Sequence, residues 1–261
     1  MILQRLATSI RKQDWFTVAI ETLIVVFGVF IGLQVSNWNE ARNERIEERD
    51  IFKRLILEGA AEEAELVRHR AYHVNNLGEI AELVARLEDP ERCGDYSSES
   101  SKRVLLSIGD FPEPRLAFST ARELVSTGRI ALVSSDEVRI GLQATLVQAE
   151  WIERAWQRYL PLKQAAEDVY MAAGPAYTNP IEWTLDYDLP YEDFLKSVEL
   201  RTPDKLCNRP DLVALASNAA TSQAFYVAKI NVLARKLSAY RAELSATAEE
   251  RFGSEFVGEA P

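Results

Sequence analysis

The feature that most constrains this chain is the run from Trp15 to Trp38, where Glu21 is the single charged residue and Thr22 to Val35 is uncharged throughout. A helix rises 1.5 Å per residue, so this span would measure about 34 Å, close to the ~30 Å hydrocarbon core of a bilayer with its interfaces. Trp15 and Trp38 then sit where the aromatic belt of a membrane helix belongs. A cleaved signal peptide is the alternative. Its apolar region would be unusually long, and no small-x-small site precedes the charged run that follows Asn39, so a retained anchor is the favoured reading.

The flanks give the orientation. Arg5, Arg11 and Lys12 precede the span, whereas Glu40 to Asp50 mixes five acids with three arginines. The positive-inside rule places the N-terminus in the cytoplasm and residues 39–261 in the periplasm, with the anchor in a bacterial inner membrane. Residues 1–14 are read as a cytoplasmic amphipathic segment, with Ile2, Leu3, Leu6 and Ile10 on one face against the inner leaflet. They are too few to hold a cytoplasmic output domain. Within the span, 15–38, Gly28, Gly32 and Ser36 repeat a small residue every four positions and form a flat stripe that would admit a second helix. Two glycines tolerated against lipid are the alternative. Glu21 lies near enough to the cytoplasmic end to snorkel or to pair with a partner helix.

Beyond the span the periodicity is helical. Phe52, Leu55, Ile56, Gly59, Leu66, His69, His73, Leu77, Ile80, Leu83, Val84 and Leu87 recur at spacings of three and four, which predicts one helix from about Asn39 to Glu88, stopped by Asp89-Pro90. No Pro or Gly separates it from the anchor, so the two are expected to be continuous. Loops are expected near 90–114 and 174–210, with a short helix from Arg115 to Thr127 closed by Gly128. Ser134 to Glu137 should cap a helix that carries Val138, Leu142, Leu146, Ile152 and Trp156 and that Pro161 should kink. The last helix is the most regular: Leu212, Ala216, Ala219, Gln223, Tyr226, Ile230, Leu233, Leu237, Tyr240 and Leu244. A short extended piece is expected only at Arg129 to Val133. The predicted fold is all-α: one N-terminal transmembrane helix continuing into an antiparallel bundle of three long helices and a short fourth, in a single domain over 39–261.

Lys and Arg total 30 against 40 Asp and Glu, a formal net charge of -10. With no local basic patch, nucleic acid is excluded as a partner. No Gly-x-Ser-x-Gly, phosphate-loop, dinucleotide or convincing paired-carboxylate motif occurs, so no catalytic residue and no cofactor is assigned.

Three groups of residues remain as candidates. Cys93 and Cys207, the two cysteines, fall in the two loop regions just outside long helices; in an oxidising compartment a disulfide is the favoured reading, and two free buried thiols the alternative. The two histidines, His69 and His73, stand one turn apart with Glu65 a turn earlier, half of a metal site that lacks a third ligand from elsewhere. The competing readings are a solvated face and, favoured, a polar layer inside the bundle, since Glu62, His69, Arg70, His73 and Asn76 interrupt otherwise apolar positions. The excursion holding Tyr177, Trp183, Tyr187 and Tyr191 is either a binding loop or an aromatic cap on the bundle's own core.

Gly28, Gly32, Gln34, Asn37, Trp38, Asn39 and Glu40 form a Gly-x-x-x-Gly-x-Gln-x-x-Asn-Trp-Asn-Glu pattern. Together with the stretch from Phe118 to Val133 and a Val-Arg-x-x-Leu element at Val138, Arg139 and Leu142, it resembles an uncharacterised family of single-pass bacterial envelope proteins. That resemblance implies topology and carries no activity. The expected function is therefore a non-enzymatic, membrane-anchored periplasmic scaffold or accessory subunit. Its partners would be the lipid bilayer and a protein, or a second copy, met through the transmembrane helix and the outer bundle. The alternatives are a ligand-sensing bundle and, third, a metal-dependent enzyme.

Overall fold

In the computed structural model, which describes residues 15–177, 195–254 and 256, every long element is a helix, as the periodicity predicts. The first, α1 (Trp15–Glu88), runs for 74 residues without a break. The chain divides into two compact units, residues 1–52 and 53–261. In the first unit every residue described from 20 to 46 is exposed, except that burial starts only at Glu47 and Glu48 beyond it. Within it α1 is long and apolar enough, by length and composition, to cross a membrane. The segment 1–14 and the side chain of Trp15 lie outside the described residues.

The second unit is built on residues 53–88 of α1 together with α4 (Asp136–Ala172) and α5 (Pro210–Phe252). Within this unit the buried positions of α1 run 55, 59, 62, 66, 69, 73, 76, 80, 83 and 87, alternating steps of four and three. Those of α5 do the same through Gln223, Tyr226, Ile230, Leu233, Leu237, Tyr240 and Leu244. A 3.5-residue repeat keeps one seam facing its neighbours over many turns, the side-chain logic of a coiled coil. Helix directions follow from the contacts. Gly59 approaches Arg241 while His73 meets Gln223, so α1 and α5 are antiparallel. Gly141 approaches Tyr240 while Tyr159 meets Tyr226 edge to face, so α4 and α5 are antiparallel as well. It follows that α1 and α4 run the same way.

That direction is set by residues 89–135, which carry the chain back along the bundle. The loop expected near 90–114 contains a helix of its own, α2 (Glu99–Leu106), followed by a 3-10 turn (Ser107–Gly109). Ser98 caps α2 by accepting from the Ser101 N–H, and Val104 and Leu105 are buried. Eight residues are too few to register as a period. Helix α3 (Ser119–Ser126) is shorter than expected, because Phe118 adopts a left-handed conformation, φ 45°, and starts it late. The extended piece expected at Arg129 to Val133 is instead a 3-10 turn (Arg129–Leu132), entered through Gly128 at φ 74°. Ser135 caps α4, accepting from the Val138 N–H at 3.2 Å. The helix continues through Pro161, which cannot donate to the Gln157 carbonyl one turn back, and both residues are exposed.

Between α4 and α5 the described chain forms a two-stranded antiparallel ribbon, β1 (Pro175–Tyr177) with β2 (Val198–Leu200), in the register Ala176 to Glu199. Near it, Leu83, Leu87, Val104, Leu105, Val169 and Leu212 share one apolar cluster.

Candidate functional site

The polar residues that interrupt the apolar seam of α1 are buried, Glu62 about two turns before His69 and His73, and Asn76 just beyond them. Glu62, His69, His73 and Asn76 are 7, 6, 0 and 3% exposed. Arg70, grouped with them by sequence, points outward instead and donates to the Asn231 side chain at 2.6 Å. The two histidines are satisfied from α5. His69 Nε2 lies 2.9 Å from the Tyr226 hydroxyl. The Gln223 amide nitrogen lies 2.6 Å from His73 Nδ1 and 3.3 Å from the His73 carbonyl. Because that nitrogen donates to both, Nδ1 accepts and the His73 proton resides on Nε2. Nε2 has no hydrogen-bond partner among the described residues. Its surroundings are rings: Tyr226 and Phe111 lie 4.8 and 4.9 Å from His73, centroid to centroid, and His69 lies 4.4 Å away. Among rings an imidazole N–H finds at best a fraction of a hydrogen bond, and a charged imidazole would keep none of its hydration. Burial therefore pushes the His73 pKa down to about 3, with the neighbouring His69 adding to the effect. His69 is lowered by burial too, against the pull of Glu65.

Two carboxylates of the same helix perform a different task. Glu62 accepts from the Ala117 and Phe118 amides at 3.0 and 2.9 Å. Glu58, one turn earlier, accepts from the Thr120 and Ala121 amides at 2.6 and 3.0 Å. Phe118 offers α3 no side-chain cap. The first amides of that helix are satisfied from across the bundle, and both carboxylates sit at the positive end of its dipole. Burial raises the Glu62 pKa, and the two amide bonds only partly offset it.

Beside the histidine layer a pocket of about 230 Å³ opens to solvent. Tyr72, Asn75, Asn76 and Glu79 line it from α1, Arg103 from α2, and Ser107 and Asp110 from the segment after it. The Asn76 amide donates to the Asp110 carbonyl at 2.7 Å, and the Tyr72 hydroxyl donates to the Asp110 carboxylate. Burial raises the Glu79 pKa, opposed by the Asn75 hydrogen bond and by the charge of Arg103.

Compared with known protein families, curated proteins and solved structures, the chain matches none.

The other candidate residues are dispersed. Glu65 is ion-paired with Arg68 at 2.5 Å, and the structure brings it into no ligand set with His69 and His73. No cluster of three metal-ligating side chains occurs among the described residues. Cys93 and Cys207 form a disulfide pair, Cα to Cα 5.2 Å, joining the chain just after α1 to the chain just before α5. Gly94 lies against this junction: a Cβ there would meet the Asp204 carboxylate at 2.8 Å, so any larger residue would have to displace that side chain. A Cβ added at Gly28 or Gly32 would meet nothing within 4 Å beyond their own helix, and Trp38 is 67% exposed. Ser36 is exposed on the same helix. Of the aromatic excursion, Trp183, Tyr187 and Tyr191 lie outside the described residues, as does the side chain of Tyr177. Sequence reading missed Glu58, Phe111, Glu79, Arg103 and Asp110. Glu58 and Glu79 could have been found as acids flanking the seam of α1, whereas nothing local marks Phe111 or Asp110.

Proposed function

We propose that the protein is a non-enzymatic binding module on a single-pass anchor: a helix in the bacterial inner membrane, its N-terminus cytoplasmic, carrying a periplasmic helical bundle that engages a protein partner or a second copy. The observation that carries this reading is the state of α1 from Ile20 to Val35. Leu23, Ile24, Val25, Val26 and Phe27 are five successive apolar side chains, each 55–65% exposed, so they cover the helix on every side. A helix apolar all round and uncovered by protein belongs in hydrocarbon. The Cys93–Cys207 pair supports an oxidising compartment for the bundle. The resemblance to single-pass envelope proteins fits the same topology, and we extend the family assignment to this chain on that basis. A partner surface is offered by α4, where Ile140, Val147 and Trp151 lie 66, 54 and 46% exposed along one face.

The test is a pair of C-terminal fusions after Pro261 in intact bacteria. Alkaline phosphatase should be active and a cytoplasm-restricted fluorescent reporter dark. The reverse pattern would overturn the topology and the binding role assigned to it.

A further inference from the structure

The pocket beside the histidine layer has a composition that the anchor and scaffold reading does not use. Its walls combine one guanidinium, Arg103, with two carboxylates, Glu79 and Asp110, and with the amides of Asn75 and Asn76. None of the residues lining it is an aliphatic hydrophobe. Its volume of about 230 Å³ lies below the ~300–1,000 Å³ of sites for drug-sized ligands. The exposed surface of these walls is nonetheless more apolar than polar, so the occupant is a small molecule that carries both polar groups and carbon.

The charges narrow its class. A guanidinium fork matches a carboxylate in geometry and charge. A simple anion would also face two carboxylates, however, and a simple amine would make no use of the guanidinium. We infer that this pocket binds a free α-amino acid, its carboxylate on Arg103 and its ammonium between Glu79 and Asp110. Asn75 and Asn76 add carbonyl acceptors for the remaining ammonium protons.

The walls are held before any ligand arrives. Asn76, 3% exposed, fixes the Asp110 backbone, Tyr72 holds the Asp110 carboxylate, and the buried Ser107 hydroxyl donates to the Val104 carbonyl at 2.8 Å. Preorganised walls lose little freedom on binding. The raised pKa of Glu79 adds support: an arriving ammonium would favour the ionised carboxylate that burial now disfavours. The site lies wholly within residues 72–110, so it stands or falls separately from the anchor.

The experiment uses the full chain in detergent micelles, with the common L-amino acids added one at a time and followed by titration calorimetry and thermal unfolding. Ethanolamine and acetate serve as probes that carry only one of the two charges. At least one amino acid should bind and raise the unfolding midpoint, with both single-charge probes far weaker. Arg103→Gln and Glu79→Gln should each weaken binding by about tenfold or more. Asn75→Leu, at an exposed position on the pocket wall, should abolish binding while leaving the helical signal of the bundle unchanged. Absence of binding by every amino acid overturns the inference. So does equal binding of either single-charge probe, or unchanged affinity in Asn75→Leu. None of these results bears on the topology fusions.

Discussion

Acidification should destabilise the bundle through His73. Its folded pKa, about 3, lies below the ordinary 6.5, so the folded state binds fewer protons. The stability this provides is complete above pH 6.5 and is lost as pH falls from there toward 3. For a group that is 0% exposed, the linkage integral at 1.36 kcal/mol per unit gives a loss of about 2 kcal/mol between pH 7.5 and pH 5. At about 2–4 °C per kcal/mol for a domain of this size, the melting temperature should fall by roughly 4–8 °C. His69 shifts in the same direction and adds to the fall. The assay compares thermal melts by circular dichroism at the two pH values for the wild type and His73→Gln, whose amide oxygen can still accept from Gln223 but cannot titrate. The variant should lose most of the wild type's pH dependence whatever its absolute stability. An equal fall in both proteins would refute the assignment of the acid sensitivity to this buried ring.

Three further outcomes are expected. Glu62→Ala strips the acceptor from two amides and should destabilise the helical bundle by about 2–4 kcal/mol, with Glu62→Gln milder because it keeps an acceptor oxygen; chemical denaturation measures both. Cys93 and Cys207 should resist alkylation in unreduced, denatured protein and label fully after reduction, and rapid labelling without reductant would contradict the pairing. Gly28→Leu with Gly32→Leu should insert normally yet lower the yield of cross-linked oligomer or co-purified partner, because leucine holds helix backbones apart; an unchanged yield would reduce the segment to a tether.

The long helices were legible because each buries one seam over many turns, so that Leu66, Ile80, Leu233 and Leu237 all fall in a pattern long enough to read. The same regularity exposed the polar layer, since His69 and His73 stand where the period demands apolar side chains. Arg70 was grouped with them by adjacency, and only the helix phase shows that it points outward. What could not be read depends on contacts between distant residues. Helix α2 is eight residues long, so its burial is decided by partners such as Leu83 and Val169 and not by its own period. The late start of α3 at Phe118 is fixed by carboxylates 56 residues or more away in sequence, at Glu62 and Glu58. The pocket likewise gathers Glu79, Arg103 and Asp110 from three segments, and none of the three carries a recognisable spacing.

The covalent link between Cys93 and Cys207 also determines how the molecule would carry load. A pull applied between α1 and the far end of α5 passes through the sulfur bridge, and the 114-residue stretch it closes carries no tension along its backbone. At about 3.4 Å per extended residue, roughly 390 Å of chain stays unavailable to stretching. A protein held at one end by a membrane and at the other by a partner could be drawn taut without unravelling α2, α3 or α4. The same ring keeps the two halves of the chain together after a single backbone cut anywhere inside it.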